Sequence, residues 1–418
     1  MQAMRVSWFA VLSVAFAACG TGTEVALGPQ VVTDRIGDTV VVRTLSGSVW
    51  GGDAALVPEL SIGEVEGPDE YLFGRIGSIA VDDDRNVYVF DQQAREVRMF
   101  GPEGGYVRTL GGPGQGPGEL QQPEAMALLP DRRVVVRDPG NARLQVYGPE
   151  EESLEEWPYV TTLHSTRSLW TDDRGRTYVA ARDPSDPDGF DYDLLAVFDP
   201  DGTPRDTVAP PHGDFEAETV RGETGDGAMA IWGVPFAPRA IWVVHPSGHF
   251  ASGISSSYAI DLEVPDGVLR IERTHEPARV FPREADQARA QTERGIGMTV
   301  PGWTWDGPSI PDTKPPFTGL YPGRDGRLWV RVATESQEVE NEDHDPDSPF
   351  STPFVWRSPL RFDVFEADGT YLGAVNPPED FSANPFPVFD GDDVWAVSRD
   401  DLGIQRVVRY RITLPPDT

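Results

Sequence analysis

Short runs of alternating apolar and polar residues fill most of the chain, and one arrangement of these runs occurs twice. Residues 79–103 read IAVDDDRNVYVFDQQAREVRMFGPE, and residues 126–150 read MALLPDRRVVVRDPGNARLQVYGPE. The two stretches are identical at nine of 25 aligned positions without a gap. Val87 and Val89 lie on one face of an alternating run, which has the period of a β-strand. Each stretch therefore predicts three strands separated by polar turns.

A fourth strand follows the first copy, because a glycine turn leads into Tyr-Val-Arg-Thr-Leu at 106–110. Four antiparallel strands in so short a stretch are typical of one blade of a β-propeller. Weaker copies begin near residues 171, 241, 324 and 388, which brings the number of predicted blades to six. The sixth copy lacks a fourth strand. Residues 39–45 resemble 106–110, so we expect this N-terminal strand to complete the last blade and close the ring.

Four stretches are longer than a compact blade needs, namely 183–193, 209–240, 274–318 and 333–358. Loops of this length are uncommon unless they are functional. Residues 283–294 follow Pro282 and are good helix formers, so they predict one short helix within an insertion. The predicted fold is all-β: a six-bladed β-propeller of four-stranded antiparallel blades, forming one domain over residues 30–418.

The N-terminus has the pattern of an export signal. Arg5 precedes an apolar run of 13 residues, Val6–Ala18. That run is too short to span a bilayer and is typical of a signal peptide. It ends in Phe-Ala-Ala-Cys-Gly, which resembles the bacterial lipobox, in which the cysteine is diacylated. We therefore expect 1–18 to be a lipoprotein signal peptide and 19–29 to be a tether.

Cys19 is the only cysteine of the chain, so no internal disulfide is possible. We expect it to carry the lipid, since two or three acyl chains give stable membrane anchoring. The alternative is an ordinary secretory signal with a chance cysteine. By resemblance to Gram-negative lipoproteins, Gly20 after the cysteine favours the outer membrane, with the protein facing the periplasm.

Charge excludes one class of partner. The chain has 35 basic and 68 acidic residues, a net charge of −33, whereas a nucleic-acid backbone requires a basic surface. The only lysine is Lys314, in a proline-rich stretch before the fifth predicted blade. It is either a solvated surface residue or, if it points into the mouth of the central channel, an anion-binding group.

Residues 138–147, Asp-Pro-Gly-Asn-Ala-Arg-Leu-Gln-Val-Tyr, resemble the NHL-type repeat through their Asp, Asn, Arg and aromatic residues. Residues 114–123 are similar to the linker between blades of those repeats. Together with the lipobox, the chain resembles bacterial six-bladed β-propeller lipoproteins with NHL-like repeats, over roughly 70–413. The resemblance implies the fold and leaves the function open, because propellers carry many functions.

Asp91 and Asp138 open equivalent turns of the two close copies. Each carboxylate either accepts backbone N–H groups in an Asx-type turn or contributes to a ring of acids at one mouth of the channel. Arg143 either spans to a neighbouring blade or binds ligand. The glycine-rich stretch 111–118 lacks the lysine of a phosphate-binding loop, so we interpret it as a linker between blades.

Metal chemistry has weaker support in the sequence. Six histidines are scattered through the chain without the spacing of a zinc site. Asp343, Asp345 and Asp347 begin like a calcium loop, but Ser348 and Phe354 stand where that loop has glycine and glutamate. This segment is either a solvated acidic loop or a weak calcium site.

We expect a lipid-anchored envelope protein that binds a protein, peptide or glycan on one face of the ring, through the long insertions. The alternative is a metal-dependent enzyme of the lactonase, hydrolase or lyase type. Its histidines and carboxylates would then converge on an ion in the central channel. We expect no cofactor, with calcium as the alternative. A closed ring leaves no open sheet edge for assembly, so a monomer is expected.

Overall fold

Strands form almost all regular structure in the computed structural model, which describes residues 28–150, 154–159, 169–181, 194–348 and 350–414. Three strands come first: β1 (Gln30–Ile36), β2 (Thr39–Ser46) and β3 (Ala54–Ile62). A short 3-10 helix at Asp69–Tyr71 then leads into the first of six antiparallel blades.

The first three blades follow one another along the chain. Blade 1 consists of β4 (Ile76–Val81), β5 (Val87–Asp91), β6 (Glu96–Phe100) and β7 (Tyr106–Gly111). Blade 2 consists of β8 (Ala125–Leu128), β9 (Val134–Asp138), β10 (Arg143–Tyr147) and β11 (Leu154–Pro158), with a 3-10 turn at Pro139–Asn141. Blade 3 consists of β12 (Trp170–Thr171), β13 (Thr177–Ala181), β14 (Leu194–Phe198) and β15 (Pro204–Val208).

The second half of the ring contains the large insertions. A hairpin of β16 (Thr219–Glu223) and β17 (Met229–Gly233) precedes blade 4, whose strands are β18 (Ala240–Val244), β19 (Phe250–Ile254), β20 (Ala259–Val264) and β21 (Gly267–Arg273). The single α-helix of the described residues, α1 (Pro282–Gly297), then leads to blade 5 and confirms the predicted helix.

Blade 5 contains a second inserted hairpin between its second and third strands. Its own strands are β22 (Phe317–Pro322), β23 (Leu328–Val332), β26 (Phe362–Phe365) and β27 (Tyr371–Asn376), and the hairpin is β24 (Gln337–Glu340) with β25 (Phe354–Arg357). Blade 6 is built on β28 (Phe381–Ser382), β29 (Val388–Asp390), β30 (Asp393–Arg399) and β31 (Gln405–Thr413). Strands β28 and β29 both pair with β30.

The ring is closed by an N-terminal strand, as predicted, but by a different one. Strand β3 pairs antiparallel with β31 from Ala55↔Thr413 to Ile62↔Val407 and so completes blade 6. The expectation that residues 39–45 do this was wrong. Strand β2, which contains them, lies parallel to β21 on the outer edge of blade 4. Its alternating pattern identifies a strand, but local sequence does not encode a partner more than 200 residues away.

Residues 30–62 form a belt around the second half of the ring, here called the N-terminal belt. Its β2 lies on blade 4, and its β3 lies on blade 6. Between them, the backbone N–H of Trp50 donates to the carbonyl of Leu372 in blade 5 at 2.8 Å. The belt therefore joins three consecutive blades through backbone hydrogen bonds.

The core lies between neighbouring blades, where the faces of two sheets meet. Phe90 of blade 1 packs with Val134 and Val136 of blade 2, and all three side chains are almost completely buried. Between blades 5 and 6, the rings of Trp329 and Phe389 stack with centroids 4.2 Å apart. Burial of each large apolar side chain stabilises the fold by roughly 1.5–3 kcal/mol, so these interfaces hold the blades in a fixed ring.

The two faces of the ring differ in what they carry. Because consecutive strands of a blade run antiparallel, all turns between first and second strands lie at one face, which we call the turn face. The turns between second and third strands, and the linkers between blades, lie at the opposite face. The hairpin β16–β17, helix α1 and the hairpin β24–β25 all enter at this second face, which we call the insertion face.

Candidate functional site

A cavity of about 430 Å³ lies where the first strands of all six blades surround the axis of the ring. Its lining is about equally polar and apolar, and the apolar part includes Ile79, Ala127, Leu169, Val243 and Val388, one from each of five blades. This volume is within the range of about 300–1,000 Å³ that is typical of ligand pockets. The cavity is therefore large enough for a small molecule or for the side chain of a partner.

The turns at the mouth of this cavity share one backbone arrangement. The N–H of the first turn residue donates to the carbonyl of the residue four positions later, as in Asp82 to Asn86 at 3.1 Å and Asp172 to Arg176 at 3.0 Å. Blades 2, 4 and 5 repeat this bond. The arrangement places the second residue of each turn at the rim, and these five residues are Asp83, Pro130, Asp173, Pro246 and Arg324.

The first residue of the turn has a structural role in blades 1 and 3. Asp172 accepts the backbone N–H of Arg176 at 2.9 Å and the hydroxyl of Tyr178 at 3.0 Å. Asp82 accepts the equivalent hydroxyl of Tyr88 at 3.2 Å. Burial raises the pKa of Tyr88 to about 12, so this phenol stays protonated and donates at neutral pH. Both carboxylates therefore hold their own turns and are not free for a ligand.

Arg324 spans the mouth from blade 5 to blades 6 and 1. One of its guanidinium nitrogens lies 3.2 Å from Asp390 of blade 6 and 3.3 Å from the carbonyl of Asp82 in blade 1. Its other terminal nitrogen is paired with Asp83 of blade 1. The positive charge of Arg324 is thus shared by two carboxylates at the rim.

Asp173 is placed differently on the other side of the mouth. Its backbone N–H donates to the carbonyl of Pro246 at 2.8 Å, which fixes the turn of blade 3 against blade 4. Within the described residues its carboxylate has no hydrogen bond or ion pair, and the side chain is exposed at the rim. Partial loss of solvation and the charge of Asp172 raise the pKa of this carboxyl group, whereas the charge of Arg324 lowers it.

The indole of Trp170 forms part of the same cavity wall. Its ring packs against Trp242 of blade 4 with centroids 5.4 Å apart. Its Nε1–H is shielded from solvent and has no hydrogen-bond acceptor within the described part of the chain.

On the insertion face, three inserted segments pack into one unit, here called the cap: β16–β17, α1 and β24–β25. The side-chain amide of Gln287 in α1 donates to the hydroxyl of Thr352 at 2.9 Å and to the carbonyl of Phe354 at 3.0 Å. On the other side of the helix, Gly295 is so close to Trp232 that a Cβ there would lie 2.3 Å from the indole ring. The helix therefore lies between the two hairpins.

Lys314 connects this cap to the ring. Its Nζ lies 3.1 Å from Oε1 of Glu284 in α1 and donates to the carbonyl of Thr334 at 3.0 Å and to the hydroxyl of Ser358 at 3.1 Å. Its side chain is only 7% exposed. The structure thus places the proposed anion-binding group in an internal ion pair rather than at the mouth of the channel.

The other predicted residues of the ring also have internal partners. Asp91 accepts the backbone N–H groups of Gly74, Arg75, Gln93 and Ala94. Asp138 accepts those of Gln121 and Gln122, together with the amide of Asn141. Both carboxylates are buried at the insertion face and hold the linker that leads into their own blade, which is the Asx-type interpretation. They do not form a ring at the channel.

Arg143 holds the glycine-rich linker between blades 1 and 2. One terminal nitrogen donates to the carbonyls of Gly116 and Glu119 at 2.7 and 2.9 Å, and the other pairs with Glu156 at 2.6 Å. The interpretation of this linker as a structural segment agrees with these contacts. These contacts engage both terminal nitrogens of the guanidinium group.

Asp343, Asp345 and Asp347 lie exposed at the end of the β24–β25 hairpin. Over the described part of the chain, no three His, Cys, Asp or Glu side chains are close enough together to hold a metal ion, and this includes these three. Cys19 and the predicted signal peptide lie outside the described residues. None of the helices in the described ranges is both long and apolar enough to cross a bilayer.

Sequence reasoning missed Asp173, Arg324 and Trp170. A signal was present, because an alignment of the repeated turns puts Asp83, Asp173 and Arg324 at the same position. The alignment does not show that this position faces the axis, because that orientation depends on how the blades are arranged in the ring.

Comparison with known proteins agrees with this geometry. Residues 64–150 match the model of the DUF5128 family, which is described as a 6-bladed beta-propeller. The chain is a six-bladed β-propeller. The matched part of the propeller covers blade 1 and most of blade 2. No curated protein matched the chain.

Solved structures similar to the propeller come from several bacteria. A member of the DUF4221 family from Bacteroides vulgatus is 10% identical, with 87% of this chain and 99% of that chain covered and a TM-score of 0.50. An exported protein from Bacteroides fragilis is 11% identical, with coverages of 85% and 95% and a TM-score of 0.45. A virginiamycin B lyase from Staphylococcus aureus is 11% identical, with coverages of 86% and 100% and a TM-score of 0.36. Likeness at such low identity concerns the fold alone.

Proposed function

We propose that the protein is a binding propeller of the bacterial cell envelope, and that it docks a polypeptide on its cap. The ring acts as a rigid support, and the cap supplies the contact surface. The insertions support a role in recognition, because loops on a rigid scaffold commonly carry binding residues.

The observation that carries this proposal is the exposure of large apolar side chains on the cap. Ile231 is 52% exposed, Met298 is 74% exposed, and Met229, Phe350 and Phe354 are also exposed. In a chain with a net charge of −33, exposed apolar residues of this size favour an interaction surface. Methionine and aromatic residues are also enriched in protein interfaces.

The charge of the cap indicates what kind of polypeptide would fit. Seven acidic residues lie in the β24–β25 hairpin and its approach: Glu335, Glu338, Glu340, Glu342, Asp343, Asp345 and Asp347. They stand close in sequence to the exposed Phe350 and Phe354. A partner with an apolar centre and basic residues around it would be complementary in both respects.

Placement in the envelope rests on the N-terminal sequence. The run Val6–Ala18 followed by Cys19 supports export and attachment through a lipid, with residues 20–29 as a tether. Such an anchor would hold the propeller at a membrane surface, where the cap meets other envelope proteins.

Photo-crosslinking in the native envelope tests the docking surface. A photoreactive amino acid is placed at Ile231 on the cap, and a matched one at Val107, which is similarly exposed on the outer strand of blade 1. We expect a discrete polypeptide adduct from position 231 that is absent from position 107 and is lost when Phe354→Glu is added. Equal adducts at both positions, or an adduct only with glycan, would contradict the proposal.

A further inference from the structure

We propose that the cavity on the propeller axis binds a small organic cation whose apolar body enters the channel and whose charged group meets Asp173 at the rim. This site lies at the turn face, opposite the cap, so it does not depend on the docking surface proposed above. The shape of the cavity and the charges at its mouth support such a ligand.

The walls determine the body of the ligand. Ile79, Ala127, Leu169, Val243 and Val388 contribute apolar surface to the lining of this cavity of about 430 Å³. Removal of apolar surface from water against such side chains is favourable by roughly 25 cal/mol per Å². An aromatic ring can therefore pack against this part of the lining.

The rim determines the charge of the ligand. Arg324 is already paired with Asp83 and Asp390. The other guanidinium at the cavity, that of Arg132, is paired with Asp84 at 2.8 Å. With both arginines engaged by carboxylates, an anion would have to displace an existing ion pair. Asp173, by contrast, presents a carboxylate that has no partner among the described residues, so a cation gains an interaction without breaking one.

Trp170 lines the same cavity. The indole ring also provides a surface on which a cation is attracted.

Titration calorimetry with three related probes tests the proposal. Tryptamine, tryptophol and indole-3-acetate share one ring and carry a positive, a neutral and a negative group. We expect tryptamine to bind with one-to-one stoichiometry at neutral pH, and tryptophol and indole-3-acetate to bind at least tenfold more weakly. Equal binding of all three, preference for the acetate, or no binding of tryptamine at millimolar concentration would overturn the proposal.

Variants locate the site. Asp173→Asn should weaken the binding of tryptamine at least tenfold and leave tryptophol unchanged. Asp38→Asn is the matched control, because Asp38 is exposed in the β1–β2 turn and remote from the axis. Leu128→Trp, which adds bulk to the cavity wall, should weaken the binding of both probes. If Asp173→Asn and Asp38→Asn have the same effect on tryptamine, the carboxylate at the rim is not the recognition group.

Discussion

The Nζ of Lys314 lies 3.1 Å from Oε1 of Glu284, and both side chains are almost completely buried. This ion pair joins helix α1 of the cap to the segment that leads into blade 5. Ser336 donates to the same carboxylate oxygen at 2.6 Å, so the pair is part of a small polar network. The only lysine of the chain therefore fixes the position of the cap on the ring.

Removal of one partner should be costly. Lys314→Met leaves the carboxylate of Glu284 buried without its counter-charge, and such a change typically lowers the free energy of unfolding by about 3–5 kcal/mol. The measurement is equilibrium unfolding in urea. The double variant Lys314→Met with Glu284→Leu should lose less than the single variant, because it leaves no buried charge behind.

An exposed pair of the same helix is the control for that experiment. Arg283 contacts Glu338 at 2.8 Å, but the arginine side chain is 72% exposed. Arg283→Met should change the free energy of unfolding by no more than about 1 kcal/mol. An equal loss for Arg283→Met and Lys314→Met would show that the buried pair is not what holds the cap.

The two parts of the N-terminal belt should differ in importance. A chain that starts at residue 48 lacks β1 and β2 but keeps all four-stranded blades, so we expect a lower Tm and a single cooperative transition. A chain that starts at residue 64 also lacks β3, the strand that completes blade 6 and leads on to blade 1, and this exposes the edge of β31.

Thermal unfolding followed by circular dichroism distinguishes the two truncated chains. We expect the shorter chain to lose the single transition or to aggregate, since an open strand edge pairs readily with another chain. If the chain that starts at residue 48 fails and the one that starts at residue 64 folds normally, the assignment of β3 as the closing strand is wrong.

Asp173 should make both binding and stability depend on pH. Burial and the charge of Asp172 raise its pKa in the folded protein above the ordinary value for aspartate. The folded state therefore disfavours the charged form, so the charged carboxylate lowers stability at neutral pH, and this loss disappears as the pH falls. Asp173→Asn should raise the Tm at pH 7 and have no such effect at acidic pH.

Binding of tryptamine has the opposite dependence, because it requires the charged carboxylate. The affinity for tryptamine should fall as the pH falls. Because the pKa of Asp173 is raised, this loss should begin at a higher pH than for an aspartate of ordinary pKa. The measurement is the Tm and the tryptamine affinity of the natural chain and of Asp173→Asn across pH 3.5–7. A Tm that is lowered by Asp173→Asn at pH 7 would instead indicate a structural role for this residue.

Most of the fold could be predicted from the sequence because blades are local structures. The strands around Val87 and Val134 alternate with period two, and their turns are short and polar, so neighbouring residues contain the necessary information. The sequence pattern did not predict strand β3, and the structure shows a physical reason for this. Its pairing with β31 shifts register between Pro58 and Leu60, and this irregularity interrupts the alternation on which the prediction depends.

Less of the candidate site could be predicted. The sequence shows that Asp91 and Asp138 open equivalent turns of the repeat and that Arg143 follows one of them, but not whether their polar atoms contact a ligand or the backbone. In the structure they meet the backbone of linkers. Asp173 looks like an ordinary turn residue, and only the closed ring shows that its side chain faces the axis.

The N-terminal belt has a consequence for the order in which the molecule assembles. Strands β1 and β2 of the belt can pair with each other early, but the partners of β2 and β3 in the blades lie at residues 268–273, 375–376 and 407–413, so the belt cannot reach all of its partners until residue 413 has been made. During synthesis and transport, the belt therefore cannot dock completely before strand β31 is available. The residues of the belt, which are made before any blade, are therefore among the last to reach their final positions.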